Sequence, residues 1–488
     1  MPRPRHAERR QHVAGWATAA VLILGVLTTW SLATARYGGP DEPGHVLRAA
    51  AVARGELLGR TVDGLVDGFR SAQVPAALAT GDPRCYRHYQ RVPATCATAT
   101  PGVTGERRAA SSAGTNPPWY YLAVGVPVRV LGDAARVIWY RLAAAAWFAA
   151  VLAVALVRAR SGVRVSVLLA LAPAAWFLGG VVNPNALEIA LAAVAWVGAG
   201  RVAGHTDAGT DAPPAMAELA WMALPTALMI LIRPIAAVAV VTMLVALAVL
   251  LHRRGRLGRA GWALLTGPAA VALLACGLWN LWSEVVVRDP RAATNEGIRQ
   301  RFGDALGGLG DTMRELAGSL GWAEFSVPWP LQLVWWSAVS FAGVTAWHRG
   351  GTHRAAWLMV AASVVVVPVA FEAALAGRLG FIWQGRYSVS TAIGLVILAP
   401  VRRWRGWWVA AGVIAEVGTL WATLRRYTVG TDGSWLLRDQ RWHPGVPPFA
   451  LLGLNALLMT ALGVWVLTWP ESVDGVSGRL RRPSCARR

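Results

Sequence analysis

Pro40-Asp41-Glu42-Pro43-Gly44-His45 follows the first apolar stretch of this 488-residue chain. Two adjacent carboxylates there would sit at a membrane surface, where an ionised group needs a partner or a task. Asp41 is placed to cap a helix running to about Leu58, with Pro43 tolerated in its first turn. On that helix Asp41 and His45 stand one turn apart, and Arg48 follows. Capping alone is worth about 1 kcal/mol. The other use of such a carboxylate is as a base that takes the proton of an attacking hydroxyl while cations hold a departing phosphate. Arg suits that second role because its fork binds phosphate oxygens in pairs. Three arginines fall near helix ends on the expected side: Arg233 before Pro234, then Arg378, then Arg386 within Gln384-Gly385-Arg386-Tyr387. An Arg at membrane depth costs about 2.5–3.5 kcal/mol on insertion scales, so each needs a partner, with Glu372 nearest in sequence to the later pair.

Other polar groups invite plainer readings. Asn183-Pro184-Asn185, with Glu188 one turn on, reads as a helix-hairpin turn with Asn185 as the cap. Glu284, Glu296, Glu315 and Glu324 read as solvated loop acids. Trp119, Tyr120 and Tyr121 read as anchors at headgroup depth. Cys85 and Cys96 share one polar loop and can close as a disulfide if that loop faces an oxidising compartment, or stay free. Cys276 lies in an apolar helix and Cys485 in the basic tail. No zinc-type ligand spacing is present, and metal dependence is left open, since Asp41 and Glu42 together admit a divalent cation without requiring one.

The elements that must position these residues are membrane helices. The chain is 55% hydrophobic and only 15% charged, whereas a soluble domain carries roughly 25% charged residues. All 47 basic residues are Arg, and the net charge is +21. They fall in short clusters between apolar stretches, the pattern of membrane topology rather than of nucleic-acid binding. The run from Val13 to Ala35 is long enough to span and meets no small-residue cleavage site before Tyr37, so it is expected to be retained. About twelve transmembrane helices are expected. Further spans lie near 137–157, 165–181, 186–200, 261–282, 331–347, 355–375, 387–401, 406–424 and 448–468, with two short ones in 216–251 broken at Arg233-Pro234. The run from 117 to 131 is too short and is expected to lie along the membrane. Arginine alternation then puts a basic segment 1–13 and a basic tail 470–488 in the cytoplasm. One multi-pass domain, 14–469, carries outer loops at about 36–136 and 283–330.

Four motifs in order carry a resemblance: Pro40-Asp41-Glu42-Pro43-Gly44-His45, Asn116-Pro117-Pro118-Trp119-Tyr120-Tyr121, Asn183-Pro184-Asn185-Ala186-Leu187 and Gln384-Gly385-Arg386-Tyr387. Over about residues 14–425 they resemble the bacterial membrane family called domain of unknown function 2142. That family is itself similar to the GT-C superfamily of polyprenyl-phosphate-sugar glycosyltransferases, which includes protein mannosyltransferases and aminoarabinose transferases. The resemblance implies an all-α, GT-C-like fold in the bacterial plasma membrane, with a juxtamembrane helix in a long first outer loop. It also implies catalysis by the acidic pair Asp41 and Glu42, and a polyprenyl-phosphate-linked sugar as co-substrate beside an envelope glycan or lipid acceptor. Arg386 takes the family's Gly-Arg-Tyr position. With Arg378, Arg233, His45 and Tyr387 it is expected to serve donor binding. The sequence departs at Asn185, where relatives often have Asp, and at Ser388–Ser390, where they have a more apolar, Pro-containing continuation. A flippase or transporter of lipid-linked saccharides, or a non-catalytic subunit of an envelope polysaccharide complex, are the alternatives.

Overall fold

The computed structural model describes residues 5–62, 68–207, 216–252, 257–284 and 294–470. Arg3, Arg253, Arg254, Arg256, Cys485 and the tail from 471 onward lie outside them. Helix α1 (Arg5–Ala33) leads into α2 (Glu42–Val52) through a turn in which Tyr37 and Asp41 both have positive φ. The intervening Gly39 packs against Val181 so closely that a Cβ there would come within 2.8 Å of it. The loop after α2 then forms an antiparallel sheet of β1 (Arg60–Thr61), β2 (Arg70–Pro75) and β3 (Glu106–Ser111). Sequence reading did not anticipate this sheet, because its strands are short and largely polar.

Helix α3 (Trp119–Leu131) is the short helix expected before the second span, and it packs on α2 and α4 (Val137–Arg158). Tyr120 and Tyr121 are buried rather than interfacial, while Trp119 is exposed. The expected span 165–181 is instead two helices, α5 (Ser161–Ala170) and α6 (Pro173–Gly179), bent by 80°. Pro173 explains the break, since the residue before a proline is driven out of the helical region. Then follow α7 (Pro184–Asp207), α8 (Met216–Ile232), α9 (Ala237–Leu251) and α10 (Arg259–Trp282). The second long loop holds α11 (Ile298–Gly307), α12 (Leu309–Gly318) and a two-stranded ribbon of β4 (Ser319–Leu320) with β5 (Phe325–Ser326). The bundle closes with α13 (Trp329–Arg349), α14 (Gly351–Leu379), α15 (Gly385–Ile397), α16 (Arg405–Thr428) and α17 (Pro448–Thr468).

The protein is an all-α multi-pass membrane fold with small sheets confined to its loops. Among the described residues, eight helices are long and apolar enough to cross a membrane, or nine if the bent α5–α6 pair is one span. The expected number of twelve is not confirmed among the described residues. Helix α8 has 17 residues and α15 only 13, below the roughly 20 that a bilayer asks of a straight helix. Helix α13 is long enough, but Gln332, Ser337, Ser340 and Thr345 dilute its apolar character. In the interior, Glu416 of α16 accepts from Trp30 of α1 at 2.6 Å and from Asn455 of α17 at 3.1 Å, tying three helices together.

Candidate active site

The site is built around the turn between α1 and α2. Asp41 occupies the N-cap position but does not cap, because its backbone is left-handed (φ 58°) and no helix N–H reaches its side chain. A non-Gly residue in that region is uncommon, although Asp is among the more tolerant types. The carboxylate turns instead toward α15, where it accepts from Arg386 Nη2 at 2.7 Å. It is 47% exposed, against 11% for Arg386. It lines a cavity of about 610 Å³ whose wall also includes Tyr37, Trp322, Arg84, Arg87 and Arg107. Arg87 stacks over the Trp322 ring at 4.5 Å.

Glu42 has a different fate. It is fully buried, and Arg141 of α4 grips it twice, Nε to Oε1 at 2.7 Å and Nη2 to Oε2 at 2.8 Å. The backbone N–H groups of Gly39 and Val182 donate to the same carboxylate at 3.2 Å each. Arg141 spends its remaining donors on the carbonyls of Ser31, Thr34 and Ala35 at the end of α1. A carboxylate so occupied has no oxygen left for an acceptor hydroxyl or a metal. The expected catalytic pairing of Asp41 with Glu42 is therefore revised: one acid faces the cavity and the other locks the turn that aims it. Among the described residues no three His, Cys, Asp or Glu side chains converge as metal ligands.

His45 is buried, with Nδ1 2.9 Å from the Tyr121 hydroxyl, which in turn accepts from Asn116. Burial lowers its pKa to about 4, with nearby Asp41 opposing the fall and Arg386 and Arg233 adding to it. That shift favours a neutral ring near pH 7, so any contribution of His45 to donor binding would be made through a hydrogen bond rather than a charge. Arg48, one turn further, donates to the Asn116 carbonyl at 2.9 Å and lies over the Tyr121 and Trp279 rings.

Arg233 and Arg386 flank Tyr387, their guanidinium carbons 4.6 and 5.4 Å from its ring centroid. Arg233 is anchored by Glu188 at 2.9 Å and by the side-chain oxygen of Asn185, and Glu188 accepts from Ser390 at 2.7 Å. The cap of α7 is Asn183, whose Oδ1 accepts from the Asn185 N–H at 3.0 Å and whose amide donates to the Pro40 carbonyl. Asn185, the expected cap, serves Arg233 instead. Arg378 is exposed at the end of α14 and enters none of these contacts. Its expected partner Glu372 accepts the Trp383 N–H instead.

Two further acids depart from the solvated reading. Glu324 is buried against Arg426 of α16 at 3.0 Å, and Glu315 accepts the Gly385 N–H at 2.8 Å just before Arg386. Cys85 and Cys96 are disulfide-bonded, with Cα atoms 6.5 Å apart.

Fold and site together define a multi-pass helical membrane protein whose loop-borne acid is gripped by an arginine at the start of a bundle helix. The chain belongs to the family described as Predicted membrane protein (DUF2142), whose model matches residues 24–395. Among solved structures it is similar to that of ArnT from Cupriavidus metallidurans in the apo state. The likeness has a TM-score of 0.45 at 14% identity and covers 94% of this chain and 77% of that one. No curated protein matches the chain.

Proposed function

We propose that the chain is a GT-C-type glycosyltransferase that moves a sugar from a polyprenyl-phosphate donor to a cell-envelope acceptor outside the plasma membrane. The observation that carries this reading is the half-exposed Asp41 carboxylate, held by Arg386 on the wall of an arginine-lined cavity. Asp41 is the base. An acceptor hydroxyl attacks the anomeric carbon, the new carbon–oxygen bond forms, and the bond to the phosphate oxygen breaks with its electron pair. The hydroxyl proton passes to Asp41, and polyprenyl phosphate leaves. Arg386 serves both states of this step. Without donor it neutralises Asp41; when the donor phosphate arrives the guanidinium turns to its oxygens and frees the carboxylate for the proton.

The neighbours act through these two. Glu42 and Arg141 hold the left-handed turn, and Arg233 with Tyr387 fixes the plane beside Arg386. Arg378 stands apart and takes no role in this step. The reading places both termini in the cytoplasm and the Asp41 loop outside, where the Cys85–Cys96 bond is at home.

Labelled polyprenyl-phosphate sugars offered to the purified chain with envelope glycolipid acceptors test the proposal. Asp41→Asn should slow transfer by about 10²–10⁴-fold while the unfolding midpoint stays near that of the parent. Equal transfer by the variant defeats the assignment of the base. Passage of the intact lipid-linked sugar across a vesicle, with no new glycosidic bond, favours the transporter alternative.

A further inference from the structure

Three helices that carry the Asp41 cluster on their first turns also meet at a second feature, at their other ends. Helix α4 bears Arg141 near its start and ends at Arg158, α7 carries Glu188 near its start and Arg201 toward its far end, and α15 carries Arg386 near its start and ends at Ile397. At a rise of 1.5 Å per residue, Arg141 and Arg158 lie roughly 25 Å apart along the axis. A cavity of about 740 Å³ opens at that far end, within the size range of small-molecule sites.

Arg160, Arg201, Arg349, Arg402 and His353 line it, and its described wall contains no Asp or Glu. Arg201 is paired with Glu218 at 3.1 Å. Arg349 and Arg402 are close enough to repel one another. The three cations Arg160, Arg349 and Arg402 come from separate segments of chain, and no ion pair among the described residues neutralises them. Helices α4, α9 and α15 end nearby, but their carbonyls offset only roughly half a charge each. A topology signal asks only that arginines lie in the inner loops, not that they share a cavity. These converge on one cavity, beside an apolar wall that includes Val163, Leu250 and Ile397.

We propose that this cavity is a phosphate site, separate from the Asp41 site, and that it takes the phosphate of an anionic amphiphile. Guanidinium forks from three directions match tetrahedral phosphate oxygens, and the apolar wall gives the chain of a lipid somewhere to lie. A free phosphate shares the headgroup chemistry but leaves that wall empty.

The full-length protein in phosphatidylcholine nanodiscs is the material for the test. Dihexanoyl phosphatidic acid and inorganic phosphate are titrated separately, with chloride at matched ionic strength as the baseline. Binding is read by native mass spectrometry and by the unfolding midpoint. The Arg349→Gln, Arg402→Gln double variant should bind phosphatidic acid at least tenfold more weakly than the parent. Arg403→Gln, which removes one charge next door without lining the cavity, should bind as the parent does. If the double variant fails to fold, Arg402→Gln alone carries the comparison. Tighter binding of phosphatidic acid than of phosphate supports a lipid-borne ligand. Equal binding of both keeps the site and reassigns its source to a soluble phosphate. Undiminished binding in the double variant, or equal weakening by Arg403→Gln, overturns the proposal.

Discussion

Glu42 and Arg141 illustrate how a charged pair inside a membrane protein can be structural beside a candidate catalytic acid. Their side chains are 0% and 4% exposed, so truncating one leaves the other charged and buried. Arg141→Ala should destabilise the fold by about 3–5 kcal/mol, read as a lowered unfolding midpoint in detergent. The Glu42→Gln, Arg141→Met double variant should recover part of that loss; a double variant worse than the sum of its singles would contradict the pairing. His45 adds a pH dependence. Burial holds its folded pKa near 4, while an unfolded His titrates near 6.5. Between these values the unfolded chain binds the extra proton, so stability is complete above about pH 6.5 and falls toward pH 4, by about 3 kcal/mol. Unfolding compared at pH 7.5 and pH 5 should show about 2 kcal/mol of this drop in the parent and a smaller one in His45→Gln. Arg141 was legible in principle, as a lone cation in an apolar run, but nothing in the sequence says which acid it meets.

Elements place the site through breaks rather than through regular helix. The left-handed turn at Asp41 and the start of α15 at Gly385 each begin a helix beside a site residue, and the bend at Pro173 splits one span into α5 and α6. Pro173 marks the bend in the sequence, yet residues 165–181 read as one unbroken span. The turn at Asp41 required Gly39 to meet Val181, and the start of α15 required Glu315 to reach from α12. The disulfide works at the same scale. It joins residues 11 apart in sequence next to Pro83, Arg84 and Arg87 of the cavity wall. Closing so short a loop is worth about 3 kcal/mol in the chain-entropy account. Reductant, or Cys85→Ser with Cys96→Ser, should lower the unfolding midpoint and reduce sugar transfer together. Unchanged transfer in the reduced protein would separate this loop from the active site.

At the scale of the molecule, the two cavities lie at opposite ends of α4, α7 and α15, so sidedness determines what each can meet. The proposed topology puts the Asp41 end outside and the arginine cavity inside. A fluorescent protein fused at the C-terminus should fold and glow, whereas alkaline phosphatase fused there should stay inactive. The reverse result would turn the Asp41 cavity toward the cytoplasm and remove the extracytoplasmic acceptor from the mechanism.

Composition and apolar run length established by themselves that this is a helical membrane protein, because the cost of exposing polar backbone to lipid leaves few other ways to fold such a chain. The family was also readable, because it rests on local residue types in order. Which of two adjacent acids would face a cavity was not. Residues 41 and 42 have nearly the same chemistry, and their difference arises from partners 99 and 345 positions away, Arg141 for one and Arg386 for the other. Only packing α4 and α15 against the end of α1 sorts them.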